Sequence, residues 1–231
     1  MREFKRIISS NYHVLGNYKN NYIKLKKTRF KKSFLFIALG AHGKTSSLNN
    51  MRIGLSHHLL KLIAIYFSNS NKKLNILLKN KDYEGQKKEM EFYKKFFKSN
   101  CTFLKTKSDK KERSTEIVDK FENIIFTDST LGYEAISRKK KVAIFPVNKD
   151  KIDRSLFGWP KKYQKEYDFF TAKKLNYGEI IRVLDNVYNC KQENWEKKHY
   201  KNIKDLMYFD KYNSRLKKVV NTILKNSDNI N

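Results

Sequence analysis

The sequence predicts an α/β fold: a Rossmann-like parallel sheet of about five strands with helices on both faces, followed by a helical C-terminal extension. Three observations predict it. Runs of strand length are apolar along most of their length: Phe34–Leu39 (FLFIAL), Leu74–Leu78 (LNILL), Cys101–Lys105, Asn123–Thr127 (NIIFT) and Val142–Val147 (VAIFPV). Segments with apolar residues at helical spacing stand between them. Strands apolar on both sides, alternating with helices, are those of a parallel sheet covered on both faces.

The elements follow in order. Leu55, Leu59, Leu62, Ile63, Tyr66 and Phe67 share one stripe and predict a helix over Leu55–Phe67. Over Gly85–Phe97 the stripe is Met90, Tyr93 and Phe97, with Glu84–Lys88 and Glu91–Lys95 as pairs one turn apart. A short helix is expected at Ser114–Phe121, with Glu116 in its first turn, and another at Leu131–Arg138. The alternation stops after Pro160. Ile180, Leu184 and Val187 then mark a helix over Gly178–Tyr188, and Leu216, Val219, Val220, Ile223 and Leu224 one over Arg215–Lys225. The first 30 residues do not alternate and contain an Asn-rich turn, GNYKNNYI. The organisation expected is a lead-in at 1–30, a Rossmann-like domain at 31–190 and a basic helical extension at 191–231.

Composition narrows the class. Of 231 residues, 51 are Lys or Arg and 23 are Asp or Glu, for a formal charge of +28. Apolar residues at 39% and aromatics at 14% can build a core, which excludes a disordered acidic tail. Two cysteines, Cys101 and Cys190, exclude a disulfide framework and a four-thiolate zinc site, and Cys101 reads as a small core residue. The longest apolar run, Leu59–Phe67, is broken by Lys61 and falls short of the roughly 20 residues that span a bilayer. The opening MREFKRIISSNYHVLG has too short an apolar stretch for a secretory leader. The chain therefore reads as a soluble protein or a peripheral one, and two cysteines fit a reducing compartment such as the cytoplasm. Lysines are spread over the whole chain alongside many Asn and Ile, so much of the charge reads as solvated surface; a localised basic patch stays open.

Ligands of open parallel sheets bind at the carboxyl ends of the strands. Three such ends are informative. After the first strand stands Gly40-Ala41-His42-Gly43-Lys44-Thr45. A phosphate-wrapping P-loop would need Gly where Ala38 stands, so this reads as a glycine loop or a loop bordering a ligand. After the fourth strand stands Thr127-Asp128-Ser129-Thr130-Leu131-Gly132-Tyr133-Glu134. The strand runs straight into a helix, whose first-turn amides have no internal partners and carry the positive end of the dipole. Ser129 and Thr130 add hydroxyls, Gly132 would let a ligand approach, and Glu134 lies one turn beyond Thr130, where it can accept from ribose hydroxyls. Plain capping by Ser or Thr, with Glu favouring the N-terminal turn, explains the same residues. After the fifth strand a long loop, Asn148–Trp159, ends in Phe157-Gly158-Trp159-Pro160; it is a ligand-side loop or a Trp-anchored turn. The adjacent His57 and His58 diverge on a helix and make no metal pair. Ser129 sits in no nucleophile elbow.

TDSTLGYEAISRKKKVAIFPV, followed by FGWP, resembles the surface-carbohydrate (O-antigen or lipopolysaccharide) biosynthesis proteins related to GT-B glycosyltransferases. That family carries an STLGYE element, then ARGKKV before a strand, then a GWP loop. GNYKNN at Gly16–Asn21 is similar to its GSFRNN element. The resemblance covers most of residues 10–190 and implies a nucleotide-sugar donor as substrate, with no cofactor and no bound metal. It implies that Ser129, Thr130, Leu131 and Gly132 face the diphosphate and Glu134 the ribose, with Pro146 ending the next strand. Gly40, Ala41 and His42 would border the site, and Lys79, after the second strand, would meet phosphate. Gly16, Asn17, Asn20, Asn21, Phe157, Gly158 and Trp159 would line the cleft. No catalytic base carries over. The chain corresponds to the donor half of a two-domain enzyme, so a separate N-terminal Rossmann subunit is an expected partner, as is an anionic membrane surface. Lys139 stands where the family has Gly after Arg138, a position that ends a helix in the left-handed conformation.

The expected function is therefore a glycosyltransferase-like protein of bacterial surface-polysaccharide synthesis. A non-catalytic or split-enzyme subunit, needing a separate acceptor-binding domain, is the alternative. A nucleic-acid-binding protein has only the charge in its favour, with no recognition motif.

Overall fold

The computed structural model describes residues 16–23, 31–38, 57–106, 113–127, 129–148, 151–154, 167–204 and 206–228. The chain forms two compact units, Met1–Lys24 with Met207–Asn231, and Leu25–Leu206. This differs from the three consecutive segments read from the sequence. The two ends of the chain make one unit, and residues 191–206 go with the sheet.

The larger unit is built on a parallel sheet of five strands in the order β3-β2-β1-β4-β5. They are β1 (Lys31–Ile37), β2 (Leu74–Leu77), β3 (Cys101–Leu104), β4 (Phe121–Phe126) and β5 (Lys141–Ile144). Phe34 is level with Leu74 on one side and Asn123 on the other. Leu74 is level with Cys101, and Asn123 with Lys141. The sheet therefore has one amino edge and one carboxyl edge. The crossovers are α2 (His57–Ser68), α3 (Tyr83–Phe97), α4 (Ser114–Asp119) and α5 (Thr130–Ser137). From β1 the order grows outward through β2 to β3; from β4 it grows the other way to β5. Right-handed crossovers then put α2 and α3 on one face and α5 on the other. The predicted fold class is what the chain adopts.

The central strands are apolar along most of their length because both faces are covered: Phe34, Leu35, Phe36, Ile124, Ile125, Phe126, Val142, Ala143 and Ile144 are fully buried. Each of the larger of these side chains contributes about 1.5–3 kcal/mol against exposure. Helix α3 starts at Asp82, whose carboxylate accepts from the Gly85 amide at 2.6 Å, and it buries Gln86, Glu89, Tyr93 and Phe97 on one stripe. Beyond β5 a short antiparallel pair, β6 (Val147–Asn148) and β7 (Lys151–Ile152), occupies ground where only a loop was expected. Helix α6 (Tyr177–Asn189), capped by Asn176, packs on α2, and Tyr66 donates to Asp185 at 2.7 Å. Then α7 (Gln192–Asn194) passes through a π-helical stretch, Trp195–Tyr200, into α8 (Lys201–Ile203).

In the smaller unit, GNYKNN makes a helix where a turn was expected. Asn17 caps α1 (Tyr18–Tyr22), its Oδ1 accepting from the amides of Lys19 at 3.0 Å and Asn20 at 3.2 Å. Asn21 donates through Nδ2 to Asn213 Oδ1 at 2.9 Å and accepts from the Asp210 amide at 2.9 Å. Asp210 in turn accepts from the Ser214 hydroxyl at 2.6 Å and the Arg215 amide at 2.8 Å, starting α9 (Ser214–Asp228).

Candidate functional site

The order of the sheet turns at the boundary between β1 and β4, the place where open α/β sheets form a crevice beyond their carboxyl ends. The β4 side of that boundary is built from Thr127, Ser129 and the start of α5. Thr127 is 2% exposed, and its Oγ1 has no hydrogen-bond partner among the described residues. An unmet buried hydroxyl costs about 1–3 kcal/mol. Ser129 is the N-cap of α5, in extended conformation at φ −152°, and its side chain makes no capping bond. The first turn of α5 carries no acidic residue. Ser129 is half-buried and Thr130 exposed. Two hydroxyls and the amide end of a helix thus stand together, with neither hydroxyl used to close that end.

Glu134 sits one turn into α5 and is half-buried. Burial raises its carboxyl above the usual range, and the nearby Arg138 guanidinium opposes the rise. Arg138 itself is committed elsewhere: its Nε donates to Asp119 at 2.8 Å, and its Nη2 pairs with the other carboxylate oxygen. The Lys140 ammonium donates to the Asp119 carbonyl at 2.7 Å. This buried cluster ties the end of α5 to the end of α4.

The end of α5 resolves the question raised by Lys139. It adopts φ +63°, the left-handed conformation that Gly would take. The Lys140 amide donates to the Ala135 carbonyl at 3.0 Å and the Lys139 amide to Ile136 at 2.8 Å, the two bonds of a Schellman motif. The turn is kept without the glycine.

Other expected site residues fall differently. Gly132 is buried, and a Cβ there would lie 2.3 Å from the Phe126 ring. Its missing side chain serves the packing of α5 on β4. Leu131 is half-buried and packs against the core. Lys79 is exposed after β2, but its amide donates to both Glu89 carboxylate oxygens, at 3.0 and 3.1 Å. Glu89 also accepts from the Asn80 amide at 3.0 Å and the Asn80 side chain at 3.1 Å. The end of β2 is therefore closed by a carboxylate, and only the Lys79 side chain is left to meet an anion. Nothing in the spacing of the sequence points to Glu89.

Asn20 and Asn21, expected at a cleft, are each 1% exposed within the smaller unit, and the Asn21 amide is used at both ends. Asn17 caps α1, and Gly16, at φ +71°, would place a Cβ 2.1 Å from the Tyr208 carbonyl oxygen. These four residues build their unit. Gly40, Ala41, His42, Phe157, Gly158 and Trp159 lie outside the described residues. Cys101, expected in the core, is half-buried on β3, and burial pushes its thiol up to about 11.

Among the described residues no cluster of three or more His, Cys, Asp or Glu could hold a metal ion. No described helix is long and apolar enough to cross a membrane.

A family model described as "putative O-antigen biosynthesis protein" matches residues 2–224. The chain belongs to that family. The comparison with curated proteins gives no match. Among solved structures it is similar to UDP-GlcNAc 2-epimerase from Methanocaldococcus jannaschii, at 12% identity and a TM-score of 0.49. That match covers 84% of this chain and 47% of the epimerase chain, so the chain spans about half the length of that protein.

Proposed function

We propose that the protein binds a nucleotide-sugar at the β4–α5 junction and acts as a glycosyltransferase-like component of surface-polysaccharide synthesis. One observation carries the reading: a buried Thr127 hydroxyl with no hydrogen-bond partner among the described residues stands beside a helix start that the Ser129 side chain does not cap, at the turning point of a parallel sheet. A diphosphate at that point would accept from the first-turn amides, Ser129 and Thr130, and would meet the positive end of the helix. Those donors would also stabilise the charge that grows on the leaving phosphate during transfer. Glu134, one turn further, would accept from ribose hydroxyls. Membership of the O-antigen family supports a sugar-polymer pathway, and it is the sequence resemblance that supports a nucleotide-linked donor.

A thermal-shift panel of UDP-, GDP- and CMP-sugars tests this. At least one should raise the unfolding temperature of the whole chain, and Glu134→Ala should remove the shift while the variant still unfolds cooperatively. A folded protein that no nucleotide-sugar stabilises would refute the reading.

A further inference from the structure

The amino edge of the sheet, opposite the β4–α5 junction, holds a cavity of about 850 Å³. It opens at the starts of β1, β2 and β3. The strands are 4–7 residues long, so this edge is roughly 10–20 Å from the carboxyl edge. One small ligand does not reach both.

The lining has a definite chemistry. Lys32, Lys72 and Lys73 supply three cations, and no lining residue among those described is acidic. The Lys72 ammonium bonds Asp185 at 2.6 Å, which leaves the charges of Lys32 and Lys73 in excess. Lys32 and Lys73 are exposed. The Tyr188 ring has the Lys32 ammonium 4.8 Å from its centroid and the Lys72 ammonium 5.0 Å away. Its π face is thereby part of the cation cluster. Around these stand the Asn71 amide and the hydroxyls of Ser70, Ser99 and Thr102. Asn75 Nδ2 already donates to Ser33 Oγ at 3.4 Å and the Phe34 carbonyl at 3.2 Å, and Asn100 Nδ2 to Ser68 Oγ at 2.8 Å, which leaves the amide oxygens of Asn75 and Asn100 to accept. Ser70 Oγ is buried with no hydrogen-bond partner among the described residues. Pockets for apolar small molecules are mostly hydrophobic. This one offers amides, hydroxyls and two aromatic rings under a positive rim. Amides and hydroxyls match sugar hydroxyls, and the lysines match an anionic group on the sugar.

We infer that this cavity is a second binding site, for an acidic saccharide bearing a carboxylate or phosphate. It is separate from the nucleotide-sugar reading and does not depend on it. Its size admits a short saccharide rather than a lone ion.

Calorimetric titration of the full chain near physiological salt, with trigalacturonic acid, glucose 1-phosphate, maltotriose and inorganic phosphate as probes, tests the inference. One or both acidic sugars should bind, and which of them binds tells carboxylate from phosphate. Maltotriose should bind at least about tenfold more weakly, as should inorganic phosphate. Because the whole chain is basic, a charge control is essential. The double variant Lys32→Glu with Lys73→Glu should weaken binding at least about tenfold, whereas Lys87→Glu with Lys88→Glu, exposed on α3 and with the same charge change, should alter it less than about twofold. Asn71→Ala, exposed and with charge unchanged, should weaken it about two- to fivefold, which keeps the test open if the double variant does not fold. Equal loss in both double variants would reduce the effect to surface charge and overturn the site. Inorganic phosphate binding as tightly as the sugars would overturn the saccharide assignment. No binding of either acidic sugar at about 10 mM would overturn both.

Discussion

Two adjacent lysines at the end of α5 carry opposite lessons. Lys139 is held at φ +63°, which costs a residue with a Cβ about 1–2 kcal/mol. Its exposed pair with Glu196, at 2.9 Å, returns little of that. Lys139→Gly should therefore stabilise the protein by about 1 kcal/mol, read as a higher urea midpoint with unchanged slope. Lys140 is buried, and desolvation lowers its ammonium from 10.5 to about 8, against the opposing pull of Asp119. Between those two values the unfolded chain binds the extra proton. The cost of charging Lys140 is full below about pH 8, and stability recovers as pH rises towards 10.5. Cys101, raised by burial from 9.0 to about 11, acts in the reverse direction above pH 9, and Tyr66, also raised by burial, does so only above pH 10. Their effects cancel when two proteins sharing them are compared. The stability of wild type minus that of Lys140→Met should thus increase with pH from 8 to 10, measured by urea unfolding at each pH. A flat difference would remove the burial argument for Lys140.

At the scale of elements, α5 is positioned by close packing at one end and by charge at the other. Gly132 lets the helix lie against the Phe126 ring, and the Asp119–Arg138 pair fastens its C-terminus to α4. Gly132→Ala should destabilise by about 1–3 kcal/mol, because the new methyl must displace a fully buried ring. Adding Phe126→Leu should restore part of the loss in a chemical unfolding experiment. A ligand-access role for Gly132 would give the opposite pattern, with stability kept and nucleotide-sugar affinity lost. The elements themselves were largely readable from the sequence. The stripes at Leu55–Phe67, Gly85–Phe97 and Gly178–Tyr188 correspond to α2, α3 and α6, because one-sided burial imposes the helical period. GNYKNN was misread as a turn: Asn is a common turn residue, but here Asn17 serves as a cap and Asn21 faces a distant partner. The helix over 192–194 and its π-helical continuation left no clear stripe, since Trp195 is its main anchor.

At the scale of the molecule, the chain's two ends meet in one compact unit. Asn21 is the link, bonded to Asn213 and to the amide of Asp210. Asn21→Ala should speed amide exchange across 214–225 by about tenfold or more, since two buried hydrogen bonds of about 1 kcal/mol each are lost. The amides of β1 and β4, in the other unit, should exchange as before. Hydrogen-exchange mass spectrometry on the full chain reads both. Acceleration spread evenly over both units would mean that Asn21 supports the whole molecule rather than one unit. The candidate site at the β4–α5 junction was partly legible at this scale too. A strand running into Ser-Thr and then a helix is a local pattern, whereas the burial of Thr127 depends on what surrounds it.

The α/β class and the strand–helix order can be read from the residues alone, because burial on both faces or on one leaves a short-range period in them. The residues also mark the end of β4 as the place where Ser and Thr hydroxyls meet the start of a helix. Only the tertiary structure decided what depends on partners far apart in the chain. Glu89 closes the end of β2, Phe126 explains Gly132, Asn21 meets Asn213 across 192 positions, and the starts of β1, β2 and β3 gather three lysines around one cavity. No local pattern encodes such meetings; the path of the folded backbone creates them.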